Sequence, residues 1–382
     1  MLGRSFPPTP RALMVVGLCF LFVVFSVFGC SRQGAALSKS ILFVPQIFDM
    51  GISPLEWLTP EPFNEHLSFA DGNRAIEVDV YRPGTEGEFP AVLLFLGVAP
   101  ATSDDPRIVN LGEALARSGM VALFYWSPEM SKGHIEVADI ANLVTVFNFL
   151  KELEYVDATN VGMGGFCVGA SFILIAASDE KIRDEVSFVS VFGPYFDLRD
   201  VVGAMVSEQT SYRGNVRSWI PDSLTKSTFH EHLTRDLIPS ERAIIRNAIE
   251  SGITLDAQAT QLSKEGLAAY QLLQGTSLDY AKELLLSIPD ETIRSMDEIS
   301  PRHYIHNLKV PILIMHDRDD DLISVDESRR LIDYIVDSPD VTYTEYTNIF
   351  SHVSPIRSLS LGSIKDIFKF IWHMHAMMMQ IT

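Results

Sequence analysis

Cysteine is scarce in this chain: there are three in 382 residues, and two of them, Cys19 and Cys30, belong to an apolar segment near the N-terminus. The rest of the chain therefore carries a single thiol, Cys167, and no disulfide can form within it. Cationic residues are also in deficit, 30 against 49 acidic ones, for a formal charge of -19. No basic cluster interrupts that balance, which disfavours contact with nucleic-acid phosphates. Tandem repeats and low-complexity tracts are lacking. No pair of histidines has carboxylate or cysteine company at metal-ligand spacing, so no metal or other cofactor is expected. The one long hydrophobic run is ALMVVGLCFLFVVFSVFG, residues 12–29.

That run follows Arg4 and Arg11, and no acidic residue precedes Ser31. A basic start and an apolar stretch of this length read as an export signal or a membrane anchor. The run ends in VFGC, and this resembles a bacterial lipoprotein box, with Phe28 where a small residue is usual. The resemblance implies lipidation of Cys30 and an envelope lipoprotein. An uncleaved single-helix anchor and a plain cleaved signal fit the same segment. In each case the expected location is outside the cytoplasm or at a membrane.

Beyond it, Pro45, Pro54, Pro60 and Pro62 suggest a tether over residues 31–66. AIEVDVYRP, residues 75–83, alternates as a half-exposed strand does, whereas PAVLLFLG, residues 90–97, is apolar throughout, as in a strand covered on both faces. Helical spacing over 107–120, a strand VALFYW and a long helix from Ile135 continue a strand–helix alternation that predicts a parallel α/β sheet. The alternation stops at Asp197. No convincing strand is legible from there to Ser300, only helical segments such as SERAIIRNAIESG. It resumes with VPILIMH, a helix from Ser324, the strand VTYTEY and a last helix from about Ser360. One α/β core, residues 67–196 and 300–382, is thus expected to carry a helical cap over 197–299.

The lone thiol of the body stands in NVGMGGFCVGASFILIAAS, residues 160–178. A strand, a Gly-x-Cys-x-Gly turn and a helix describe a nucleophile elbow, in which Gly165 and Gly169 permit close packing and the central side chain is exposed above the sheet. The helix N-terminus favours the thiolate, the reactive form of cysteine. An elbow needs an acid and then a histidine, in that order. DRDDD follows the VPILIMH strand, and the register favours Asp320, with Asp319 and Asp321 open as alternatives. His352 lies on the loop after VTYTEY and is the candidate base. His316 reads as a structural strand-end residue. Val168 N–H is one expected oxyanion donor, and Val98 the second, with Gly97 permitting close approach.

Cys167, Asp320 and His352 together make the chain resemble the α/β-hydrolase superfamily, and GFCVGA resembles the elbow of its dienelactone hydrolase-like branch, with Ala170 at the place of a final glycine. The resemblance covers residues 75–195 and 300–375. It implies a hydrolase acting on an ester, thioester or lactone of a small-molecule acyl substrate through an acyl-cysteine. The same elbow and order occur in polyhydroxyalkanoate synthases, which implies acyl transfer as an alternative; a non-catalytic binding protein on the same fold is a third reading. Leu267, Tyr270, Leu273 and Leu285 are candidates either for an acyl pocket or for the cap's own core.

Overall fold

The apolar runs form strands whose two faces are both covered. In the computed structural model, Ala91, Leu93 and Phe95 face one buried cluster while Val92 and Leu94 between them face another. Val121, Leu123 and Tyr125 alternate with Ala122 and Phe124 in the same way. A side-chain period of two, apolar on both phases, fixes these as the middle of a sheet between two helical layers. The structure describes residues 31–72, 74–98, 102–255, 261–335, 340–356 and 361–382.

The chain begins with α1 (Arg32–Ile47), α2 (Pro54–Leu58) and a hairpin of β1 (Phe63–Asp71) and β2 (Arg74–Arg82). The alternating part runs β3 (Phe89–Phe95), α3 (Pro106–Arg117), β4 (Val121–Tyr125), α4 (Ala138–Lys151), β5 (Val156–Phe166), α5 (Val168–Ala176) and β6 (Val189–Phe192). The cap holds α6 (Leu198–Ser207), β7 (Gln209–Tyr212), β8 (Asn215–Ser218), α7 (Ser223–Thr234), α8 (Pro239–Ser251), α9 (Lys264–Leu273), α10 (Leu278–Leu285) and α11 (Asp290–Glu298). The core closes with β9 (Ile312–Asp317), α12 (Val325–Tyr334), β10 (Val341–Tyr346) and α13 (Leu361–Gln380).

Eight strands form one sheet in the order β1-β2-β4-β3-β5-β6-β9-β10. β2 is antiparallel to both of its neighbours, and β4, β3, β5, β6, β9 and β10 are mutually parallel. The carboxyl ends of β5, β9 and β10 therefore lie along one edge, where ligands of open α/β sheets bind.

Two expectations fail. Residues 31–47 are not a tether: Ser31 caps α1 by accepting the Gly34 amide, and Ala36, Phe43 and Val44 are buried against the sheet layer. Those residues recur at helical spacing, and Pro45, which costs the helix one hydrogen bond, falls in the last turn just before the helix ends. The cap is also not purely helical. β7 and β8 form a hairpin around Arg213 (φ 49) and Gly214 (φ 79). Two left-handed residues make the tight turn that matches strand twist, but the four-residue strands are polar and leave no alternation to read. Among the described residues no helix is long and apolar enough to cross a membrane. Cys30 and residues 12–29 lie outside the described residues.

Candidate active site

The turn after β5 is built by exclusion. A Cβ on Gly169 would come within 2.5 Å of the Leu96 carbonyl oxygen, and one on Gly97 within 2.6 Å of the Cys167 Cβ. Only glycine lets the β3 end, the elbow and α5 meet so closely. Cys167 itself is at φ 56, ψ -132, a backbone conformation that is strained for an L-residue. Its amide donates to the Phe192 carbonyl at 2.8 Å, which holds the turn against the end of β6. The side chain is partly exposed at the start of α5. Val168 is the first residue of that helix, so its N–H has no carbonyl one turn below it. The Gly97 end of the segment carrying Val98 lies directly against Cys167. A cleft of about 10 Å³ is lined by Gly97, Leu96 and Ser127 among others, space for roughly one water.

The other two candidate residues arrive from the neighbouring strand ends. His352 Nδ1 lies 2.5 Å from Asp320 Oδ2, and the imidazole lies close enough to Cys167 to feel its charge. The three aspartates are thereby separated: Asp320 is buried, while Asp319 and Asp321 are exposed. The Asp320 Oδ1 accepts the amides of Leu322 at 2.8 Å and Ile323 at 2.9 Å. His316 is fully buried, hydrogen-bonded to Ser328 Oγ and the Ile323 carbonyl, and it stands 3.5 Å from Asp320.

Electrostatics follow from this arrangement. Burial works against charge on His352, but the negative charge of Cys167 and of Asp320, with the hydrogen bond to Asp320, raises its pKa well above the ordinary histidine value. Burial likewise opposes the Asp320 carboxylate; the charge of His352, its hydrogen bond and the nearby His316 override it and hold the group well below the usual range. The charged imidazole is thus favoured despite its burial, with Asp320 as its carboxylate partner.

Asp317 was missed in the sequence. Its Oδ2 accepts the His352 amide at 2.9 Å and its Oδ1 the Asp319 amide at 3.2 Å. His352 has φ 54, so this bond holds a left-handed loop that carries the base. Burial pushes the Asp317 carboxyl up to about 6, with the charges of Asp320 and Asp319 adding to the shift. A carboxyl raised above its unfolded value binds its proton more tightly in the folded state. Its ionisation therefore costs stability progressively between about pH 4 and pH 6. The stability of Asp317→Asn relative to wild type is expected to rise across that window, read by urea unfolding at each pH. A constant difference would remove the effect.

A second group of missed residues comes from the cap. Trp219 Nε1 donates to the Asp320 carbonyl at 2.7 Å, the Asp222 amide to the Asp321 carbonyl at 2.8 Å, and Thr225 Oγ1 to the Leu322 carbonyl at 2.9 Å. Three successive carbonyls of the acid loop are thus satisfied by one cap segment. The hairpin adds Thr210 and Arg217, both bonded to Asp326. This part of the cap is a brace for Asp320. Trp219→Phe is expected to cost about 1–2 kcal/mol in urea unfolding, the penalty for an acceptor left unmet. Of the residues open between an acyl pocket and the cap's own core, Tyr270 and Leu285 are buried in one apolar cluster with sheet residues such as Leu93, Tyr270 Oη accepts the Leu255 amide, and Leu267 and Leu273 pack against the same cluster. No group of three or more His, Cys, Asp or Glu among the described residues could hold a metal ion.

The sheet order, the antiparallel second strand and a Gly-x-Cys-x-Gly elbow after the fifth strand together define the architecture. The fold is that of the α/β-hydrolases. Similar solved structures include the Pyrococcus horikoshii acylaminoacyl peptidase, at 14% identity over 82% of this chain and 41% of that one, with a TM-score of 0.49. The 2,6-dihydroxy-pseudo-oxynicotine hydrolase matches at 12% identity over 83% of this chain and 68% of its own, TM-score 0.48. Est1E from Butyrivibrio proteoclasticus matches at 12% identity over 81% of this chain and 99% of its own, TM-score 0.42. The chain spans about two fifths of the length of the peptidase. No family model and no curated protein matches the sequence.

Proposed function

We propose that the protein is a hydrolase that cleaves an ester, thioester or lactone through an acyl-cysteine. The observation that carries this reading is a strained elbow at Cys167 beside a histidine, His352, whose Nδ1 is held by the buried Asp320. With Nδ1 held by Asp320, the opposite ring nitrogen of His352 faces the thiol and takes its proton. The sulfur then attacks the substrate carbonyl carbon, and the oxyanion is met by the Val168 N–H and by the Gly97–Val98 segment. His352 returns the proton to the leaving group as the carbon–heteroatom bond breaks. Water, deprotonated by the same histidine, attacks the acyl-cysteine and releases the acid and the thiol. Asp320 keeps the imidazole in one tautomer throughout.

Among enzymes of this fold, the Gly165-Phe166-Cys167 elbow favours the dienelactone hydrolase-like branch. The basic start and apolar run of the N-terminus support an exported or membrane-anchored protein, held by residues 12–29 or by a lipid on Cys30. The test is a single-turnover reaction with an activated short-chain thioester, read by intact mass. An adduct of one acyl group that decays in water is expected. Faster decay with an added alcohol or amine, giving the conjugate as product, would instead assign transfer, and a folded protein that takes up no acyl group of any length would overturn the reading.

A further inference from the structure

The C-terminal helix is apolar on two sides. One side of α13, with Phe370, Met374 and Met378, is buried in the sheet layer. On the other, Ile364, Phe368 and Trp372 are 50%, 68% and 68% exposed. These three are spaced by four residues and so line up along one stripe of the helix. Scattered surface apolar residues are ordinary, but a contiguous run ending in two large aromatics marks an interaction surface.

What covers it is indicated by where the chain outside the described residues ends. The apolar run of residues 12–29 stops three positions before Arg32, the first residue of α1. Arg32 donates to the Met379 carbonyl at 2.6 Å, so the start of α1 is fastened to the end of α13. At 1.5 Å per residue, Trp372 lies roughly 10 Å along the helix from that point and Ile364 roughly 22 Å. Half-exposed His375 and Met379 occupy the interval. The stripe thus starts beside the place where the body joins the one segment long enough to enter a bilayer.

We propose that this stripe rests in the interface of a phospholipid bilayer and fixes how the body sits on the membrane. Aromatic side chains with an apolar body and a polar edge suit that depth, and Trp372 sits where such a belt residue would be placed. The chemistry is that of a neutral lipid surface. A net charge of -19 rules against attraction to anionic headgroups. The stripe's own helix adds an exposed lysine, Lys365, while Asp366 is buried and paired with Lys369. Insertion is accordingly apolar, and salt has little hold on it. The inference is independent of the hydrolase reading, and its test does not use activity.

The test is the full chain reconstituted into phosphatidylcholine vesicles whose acyl chains are brominated near the headgroup, with tryptophan fluorescence read after flotation. Trp372→Phe is the comparison; the substitution is exposed and keeps an aromatic ring. Wild type is expected to float and to be quenched, at low and high salt alike, and the variant to lose at least about half of that quenching. Equal quenching of the two proteins would mean that a second copy, or residues 12–29 themselves, covers the stripe, and the proposal falls. It falls equally if the protein does not float with the vesicles.

Discussion

A Cys167→Ala variant is expected to take up no acyl group in intact-mass experiments and to lose at least about a thousandfold in steady-state turnover, as removal of a covalent nucleophile does in enzymes of this logic. The loss is expected in kcat and kcat/KM together, because in the proposed reaction the Cys167 sulfur is the bond-forming atom and no neighbour can replace it. The body holds no second thiol. Structure should survive: the alanine keeps the Cβ that lies against Gly97, and the amide bond to Phe192 is made by the backbone. A companion substitution separates catalysis from folding. Cys167 is held at φ 56, ψ -132, a conformation that costs about 1–3 kcal/mol for an L-residue and little for glycine. Set against about 1 kcal/mol of extra chain entropy, Cys167→Gly is expected to unfold at higher urea concentration than wild type while remaining inactive. A residue whose removal stabilises the fold and abolishes turnover is there for chemistry. If the glycine variant were markedly less stable, the elbow would be a packing solution with a small residue in it. Retained turnover in the alanine variant would move the nucleophile elsewhere.

Much of this site was legible because its chemistry is tied to local patterns. The apolar runs over 90–97 and 121–126, alternating with helices, identified the central strands; the two glycines around Cys167 identified the turn; chain order placed an acid before a histidine. Register alone favoured Asp320 in a run of three aspartates, and what separates the three is burial, a property of the packed loop. The contributions that escaped are those made at long range. Trp219 meets the Asp320 carbonyl across 101 positions, and Asp317 meets the His352 amide across 35; neither bond leaves a periodicity or a motif. The β7–β8 hairpin escaped because its polar strands draw their stability from Asp326 outside the hairpin. The helix at Arg32–Ile47 was hidden for the opposite reason. Its apolar spacing is present, and Pro45 near its end carries the local signature of a chain break without ending the helix.

Asp320→Asn is expected to approach the nucleophile's own loss, about a thousandfold or more in kcat, with little change in fold. The carboxylate does two jobs through different oxygens. Oδ1 takes the Leu322 and Ile323 amides, and an asparagine carbonyl can still do this. Oδ2 takes the proton of His352 Nδ1, and there the amide presents hydrogens instead. To avoid two donors meeting, the imidazole must carry its proton on the other nitrogen, which then faces Cys167 as a donor and cannot accept the thiol's proton. Binding surfaces are untouched, so KM should change far less than kcat. A second readout reports the electrostatics directly. In wild type the His352 ring is expected to titrate well above the ordinary histidine value, for which the charges of Cys167 and Asp320 are responsible against the opposing effect of burial. A histidine raised in this way contributes stability that is complete below its unfolded value and is lost as pH rises through the folded one. In Asp320→Asn that contribution shrinks. The ring titration, followed by NMR, should move down, and the variant's stability deficit should be largest between the unfolded values of the two groups, 3.8 and 6.5, narrowing below as the wild type loses the Asp320 contribution and above as His352 loses its proton. An unshifted ring titration would mean that Asp320 does not set the charge of His352. Full activity beside it would take Asp320 out of the proposed triad and leave Asp317, which reaches His352 through its backbone amide, as the carboxylate to test next.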